Sequence, residues 1–309
     1  MTREMLQKMA DDFSDNSPLN YLGANTGANA DGADAALNNY EKNNLYARAK
    51  DPDAFKKEDF GEHAGLRFFE RPVFSITRAD NPEFLKIKFP EVVGEHHMMP
   101  EDWLPGAKTV ISFFLPYNRK TVEANKTDPF APPIEWLYTR VDGQRYLLSL
   151  GAKIRDLLIS EGFEAITPYT DDRFIMRTSH DVPGTESIPK FSTNWSERHV
   201  GVVSGLGTFG LSTNFISKVG CAGRMISVVT TWDIEADERD YDDWLGYCNR
   251  CGACLRRCPA KAHFSDKVGK DHAMCSAHIA VACKPFSPRY GCGKCQSGLP
   301  CDYKPMKPQ

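Results

Sequence analysis

The sequence predicts an α+β fold, with a mixed core of strands and helices followed by a small cysteine-rich module. Three observations carry this. β-Rich apolar runs recur through residues 61–240, and between them lies a stretch whose apolar positions follow helical spacing. The first 220 residues contain no cysteine, whereas nine of the ten cysteines fall between Cys248 and Cys301. Charge is split as well. Residues 247–309 carry 11 Lys and Arg against 3 Asp and Glu, net +8, which leaves −11 for the remainder of a chain whose total is −3. A chain of 309 residues suffices for one large domain and one small one. The expected divisions are a polar N-terminal arm over 1–60, an α/β cofactor and substrate domain over 61–240, and the cysteine module over 241–309.

Taken in order, residues 1–60 are rich in Asn, Asp, Ala and Gly, and NTGANADGADAALNN suits a surface arm better than a core. Pro72–Thr77 reads as a short strand. Lys108–Leu115 (KTVISFFL) is almost continuously apolar, as a buried strand is, and Gly106 and Pro116 bound it. Over 139–161 the residues Tyr146, Leu147, Leu150, Ile154, Leu157 and Leu158 recur at helical spacing, and Gly162 ends the predicted helix. Glu164–Thr167 and Met225–Trp232 read as further strands, and 233–246 as an acidic connector. No run of about 18 apolar residues exists, so no membrane span is expected. The opening MTREMLQKMADDFSDN lacks the apolar core of an export signal and a twin-arginine pair, so a cytoplasmic location is expected. Thiols stay reduced there, which favours metal ligation over disulfides.

The first cysteine motif is Cys248-Asn-Arg-Cys251-Gly-Ala-Cys254-Leu-Arg-Arg-Cys258-Pro259, the C-x2-C-x2-C-x3-C-P spacing of bacterial ferredoxins. Three close thiolates reach three corners of one cube, and the fourth points to a different cluster. Gly252 permits close backbone approach, and Pro259 suits a first helical turn. Zinc prefers paired C-x2-C motifs and fits this spacing poorly. The remaining set is Cys275, Cys283, Cys292, Cys295 and Cys301, in which only Cys292-Gly-Lys-Cys295 is regular. Crossed ligation assigns Cys248, Cys251, Cys254 and Cys301 to one [4Fe–4S] cluster and Cys258, Cys292 and Cys295 to a second. Cys275 and Cys283 compete for the eighth place, with Cys275 favoured. Cys221 stands apart and reads as a buried inert thiol. The positive module compensates an anionic cluster locally, and it also suits an acidic electron donor or a nucleic-acid backbone.

Gly205-Leu-Gly207-Thr-Phe-Gly210 fits G-x-G-x-x-G, and Asp233 follows at a suitable distance. A dinucleotide-binding reading is nevertheless rejected. Ser196-Glu-Arg-His199 lies upstream where a buried first strand belongs, and Gly220 and Gly223 leave little room for a crossover helix. Instead, WSERHVGVVSGLGTFGLSTNFISKVGCAGRMISVVT over 195–230, followed by CNRCGACLRRCPAKA, resembles the epoxyqueuosine reductase and reductive dehalogenase superfamily. Gly106–Tyr117 (GAKTVISFFLPY) is similar to that family's GA-(R/K)-(S/T)-V-I strand, and Tyr138–Tyr146 (YTRVDGQRY) to its Y-A-R-x-x-D-Y-H region. The resemblance spans about residues 100–301.

What the resemblance implies is a nitroreductase-like α/β core that holds cobalamin, fed with single electrons by a C-terminal ferredoxin-like module carrying two [4Fe–4S] clusters. Gly205, Gly207, Thr208, Gly210 and Ser212 would then approach the corrin. The implied partners are an electron donor such as a ferredoxin or flavodoxin, and a small organic or nucleoside substrate, with tRNA as a further possibility. This sequence departs from the family at Phe191, where epoxyqueuosine reductases have an Asp six residues before the Glu of the ER pair. It departs also at Gln144-Arg145-Tyr146-Leu147, where only the Tyr of D-Y-H is kept. Candidate proton donors are Tyr146, carried over from the family element, together with Glu197, Arg198 and His199. A core role for Tyr146 and an ion pair between Glu197 and Arg198 are the structural alternatives. Asp171 and Asp172 read as turn residues. His96 and His97, adjacent on an extended loop, point apart and do not suit chelation. Without a cofactor, the chain would be an electron carrier docking through its basic module.

Overall fold

The computed structural model describes residues 1–23, 60–178 and 191–307. The asparagine-rich stretch read as a surface arm lies, from residue 24 onward, outside the described residues. Residues 3–16, expected within that polar arm, instead form helix α1 (Arg3–Asn16), capped by Thr2, with Leu6 and Ala10 fully buried. Its low mean hydropathy hid a narrow apolar stripe, which is all that a helix packed on one side requires.

The core is a four-stranded sheet of order β1-β2-β8-β3, in which every pairing is antiparallel. The strands are β1 (Val73–Arg78), β2 (Thr109–Pro116), β3 (Ala165–Ile166) and β8 (Gly223–Thr230). All four coincide with the apolar runs of the sequence. Mixed helices and strands with an antiparallel sheet make the fold α+β.

Alternation along the strands sorts the core into two faces. On one face Phe74, Ile76, Ile111, Phe113, Leu115, Ile226 and Val228 pack with α1, α5 (Ile134–Val141) and α6 (Gln144–Ser160). The predicted helix over 139–161 is thus two helices. The chain breaks at Asp142–Gly143, where both amides donate to the Tyr138 carbonyl. A Cβ on Gly143 would stand 2.9 Å from the Phe69 ring, so this corner needs glycine. The opposite face presents Val110, Phe114, Met225 and Val229, and a buried serine row of Ser75, Ser112 and Ser227 in cross-strand register. Helix α7 (Glu197–Val203) and the short α2 (Glu83–Ile87) cover it. Small side chains here let α7 come close: Ser112 meets Ser204 at 2.9 Å, Ser75 donates to the Ser204 carbonyl at 2.6 Å, and the Trp195 indole donates to Ser227 at 2.9 Å.

Residues after Ser204 form a two-stranded hairpin, β6 (Gly207–Phe209) with β7 (Phe215–Ser217). The G-x-G-x-x-G segment is therefore strand and turn, with no helix after it. The acidic connector is packed into the structure: Asp237 binds Arg3 at 2.7 and 3.1 Å, and the Tyr241 hydroxyl donates to the Val202 carbonyl at 2.6 Å.

The cysteine module contributes α8 (Ala253–Arg257) and α9 (His272–Ala282) and is joined to the core by buried polar contacts. Arg289 pairs with Asp142 at 2.8 Å, with both side chains under a tenth exposed. Lys294, fully buried, donates to the carbonyl and the side-chain oxygen of Asn125, both at 2.9 Å, on α4 (Arg119–Thr127). No helix among the described residues is long and apolar enough to cross a membrane. Removing one partner of a buried ion pair strands the other, at a cost of about 3 kcal/mol or more. Asp142→Ala should accordingly lower the apparent unfolding temperature of the anaerobic protein by several degrees. An unchanged melting curve would show that Arg289 does not hold the module in place.

Candidate functional site

The cysteines fall into two sets, with Cys295 common to both. Cys248, Cys251, Cys254 and Cys301 line one pocket together with Cys221 and Cys295. Two left-handed residues shape the first loop, Arg250 at φ 57° and Gly252 at φ 68°, and the turn of α8 then follows. Cys292-Gly293-Lys294-Cys295 repeats the device: Gly293 also has φ 68°, and a short 3-10 turn follows. The two Cys-Gly-x-Cys loops thus share a backbone form that a Cβ would disfavour.

The second group is Cys258, Cys275, Cys292 and Cys295. Burial pushes the Cys292 thiol up to about 12, and Cys295 and Cys275 add to the rise as negative neighbours. Burial also raises Cys275, which feels Cys295 and Cys258. Cys258 is lowered: burial is the largest effect and opposes the shift, but hydrogen bonds with His263 and the Ala262 backbone, with the charge of His263, together outweigh it. Cys283 behaves differently. It is 4% exposed, belongs to the main hydrophobic core, and lies 3.3 Å from the Gly291 carbonyl, with Arg140 as the only charged group acting on it. Cys275, on α9, thus feels the charges of Cys258 and Cys295, whereas Cys283 is packed in the core.

Among the described residues no three His, Cys, Asp or Glu side chains stand close enough to share a single ion. All-sulfur donors at this spacing are what iron–sulfur clusters take.

The corrin-loop candidates have other partners. Thr208 is fully buried and its hydroxyl accepts the Tyr247 amide at 2.9 Å. A Cβ on Gly207 would lie 2.1 Å from the Ile216 carbonyl, so this glycine serves the hairpin. Gly205 turns the chain after α7 at φ 84°. Gly210 and Ser212 line the cysteine cavity, and Ser212 hydrogen-bonds the Cys254 thiol.

The proton-donor candidates do not share one site. Tyr146 lies on the α1 face of the sheet, fully buried and stacked between Phe13 at 5.4 Å and Phe69 at 5.7 Å. Burial raises its pKa, with the nearby Ser14 hydroxyl opposing. The packing matches the core alternative for Tyr146. Glu197, Arg198 and His199 stand on α7, across the sheet. Both Glu197 carboxylate oxygens are shielded from solvent without a hydrogen-bond partner, and burial pushes the acid up to about 7, with Ser227 opposing. No ion pair joins Glu197 to Arg198, whose guanidinium instead donates to the Thr213 carbonyl at 3.2 Å. Arg198 is exposed, yet surrounding protein lowers its pKa, with Arg224 and Arg140 adding to the shift and Cys295 opposing it. His199 bonds Ser196 at 2.7 Å, and burial lowers it to about 3, so it is neutral. His97 is fully buried, stacks on Trp195 at 5.5 Å and accepts the Ser196 amide at 3.2 Å, whereas His96 meets Ser192. Asp171 closes a turn by binding Arg173. Phe191, at the family's Asp position, is half exposed on β5 (Phe191–Thr193), which pairs with β4 (Met176–Thr178).

Comparison with known proteins follows from this geometry. In structure the chain resembles epoxyqueuosine reductases and reductive dehalogenases. A selenomethionine-labelled epoxyqueuosine reductase matches at 17% identity and a TM-score of 0.48, covering 77% of this chain and 65% of that one. The epoxyqueuosine reductase from Streptococcus thermophilus matches at 20% identity and 0.41 over the same shares. A catabolic reductive dehalogenase matches at 13% and 0.43, covering 67% of this chain and 27% of the other. The chain therefore spans less than two thirds of each of these proteins. No family model matches the sequence. No curated protein matches it either.

A raised carboxyl favours the fold while protonated and loses that advantage as pH rises through its folded value. For Glu197 the window runs from about 4.5 to about 7. Wild-type protein should lose about 2–3 kcal/mol of stability across it relative to Glu197→Gln. Parallel pH–stability curves for the two proteins would refute the raised value.

Proposed function

We propose that this chain is an iron–sulfur oxidoreductase. Cys248, Cys251, Cys254 and Cys301 hold one [4Fe–4S] cluster, and Cys258, Cys275, Cys292 and Cys295 hold the other. What supports the reading is the C-x2-C-x2-C-x3-C-P spacing together with the pocket that Cys248, Cys251, Cys254 and Cys301 line from separate stretches of chain. Crossed ligation is the usual arrangement for that spacing, with the fourth cysteine of the motif, Cys258, serving the other cluster.

A cobalamin, as the family resemblance implies, would supply low-valent cobalt for reducing a small organic substrate or modified nucleoside. The chain's own residues have separable parts. Arg140 and Arg224 stand near enough for their charges to act on Arg198, and three such cations suit an anionic group of cofactor or substrate. Glu197, next to Arg198 on α7 and pushed by burial up to about 7, keeps a proton available at neutral pH. The net charge of +8 over 247–309 suits an acidic donor such as a ferredoxin or flavodoxin. That same charge is the feature favouring a simple electron carrier.

Anaerobic reconstitution with iron, sulfide and cobalamin should give near-stoichiometric cobalt, and Arg198→Ala should weaken its retention several-fold. Full iron with no cobalt despite excess cobalamin would leave the electron-carrier reading in its place. Among the cysteines, Cys275→Ser should lose about four of eight irons. Cys283→Ser should keep all of them. The reverse pattern would move the eighth ligand to Cys283.

A further inference from the structure

Cys221, like Cys283, lies outside the eight ligand positions and is buried in an apolar cluster, but unlike Cys283 it shares that cluster with Cys248 and has Cys301 packed against it. It lies 80 residues before Cys301, outside both motifs, yet the two Sγ atoms are 3.8 Å apart. It is 1% exposed and faces the cavity that Cys248, Cys251, Cys254 and Cys301 line. The approach is built into the backbone. Gly220, at φ 109°, lets the chain around Asp302 come so close that a Cβ on it would stand 2.0 Å from the Asp302 carbonyl. Gln296 fastens the same corner by donating to the Cys221 carbonyl at 3.2 Å.

We infer that Cys221 is a positioning and tuning residue for the first cluster, its S–H donating a hydrogen bond to the Cys301 sulfur. The inference rests on the two-cluster reading. With Cys301 bound to iron as a thiolate, it offers only an acceptor, and the remaining proton of the pair belongs to Cys221. The Gln296 carbonyl, 3.7 Å from the Cys221 sulfur, is the competing acceptor. A charged sulfur attracts the donor more strongly than a neutral carbonyl does. Hydrogen bonds to cluster sulfurs stabilise the reduced, more negative state and so raise the reduction potential. Cys221 thereby sets how readily the first cluster accepts an electron.

The test compares wild type, Cys221→Ala and Cys221→Ser, each reconstituted anaerobically, with Cys221→Val in reserve should alanine collapse the pocket. Iron and sulfide contents are read first. About eight irons in the wild type establishes the underlying reading independently of this one. Cluster potentials are then measured by EPR-monitored titration. The alanine variant should keep its iron, and one cluster should become harder to reduce by about tenfold, a shift of ~59 mV to more negative potential. Serine, which still donates, should return it toward the wild-type value. Identical potentials in all three proteins would show that the proton goes to Gln296. Loss of about four irons in Cys221→Ala would make Cys221 a ligand, and either result overturns the donor role.

Discussion

The cysteine module has little apolar core of its own, so its loops take their positions from buried polar contacts with the larger domain. Lys294 stands between two cysteines and is fully enclosed, with its ammonium on Asn125. Such a charge is tolerable only with its hydrogen bonds made. The same asparagine donates to Ser297, and Arg257 donates to its carbonyl. Asp302, next to Cys301, accepts the amides of Gly298 and Leu299 and pairs with Lys126. One short helix, α4, thus fixes loops from both ends of the module. The thiols inherit their spacing from these bonds.

A second constraint is the sheet itself. Its two faces are chemically unlike, one aliphatic and aromatic, the other carrying a row of serines under α7. The aliphatic face holds the fold together and encloses Tyr146. The serine face allows α7 close enough to bring Glu197 against Ser227 while Arg198 stays accessible. Tyr146 is in this way separated from Glu197 and Arg198 by the thickness of one sheet.

Much of this was legible in the sequence. The strands β1, β2 and β8 were visible because buried strands read as apolar runs, and α6 because its apolar residues recur with helical period. The hairpin β6–β7 was not, since three-residue strands are too short to show a period and their glycines mimic a phosphate loop. Helix α1 was hidden by composition. Spacing alone identified the first cysteine motif. The approach of Cys221 to Cys301 depends on a contact between residues far apart in sequence, which no local pattern encodes. At Tyr146 a motif match points to chemistry while the local packing matches the core alternative.

The proposed placing of two iron–sulfur cubes, each among four thiols, is tested most directly by an anomalous difference map recorded at the iron edge from anaerobically grown crystals. Two separate compact peaks are expected, one among Cys248, Cys251, Cys254 and Cys301, the other among Cys258, Cys275, Cys292 and Cys295. A single peak, or a lone metal ion at either place, would contradict it.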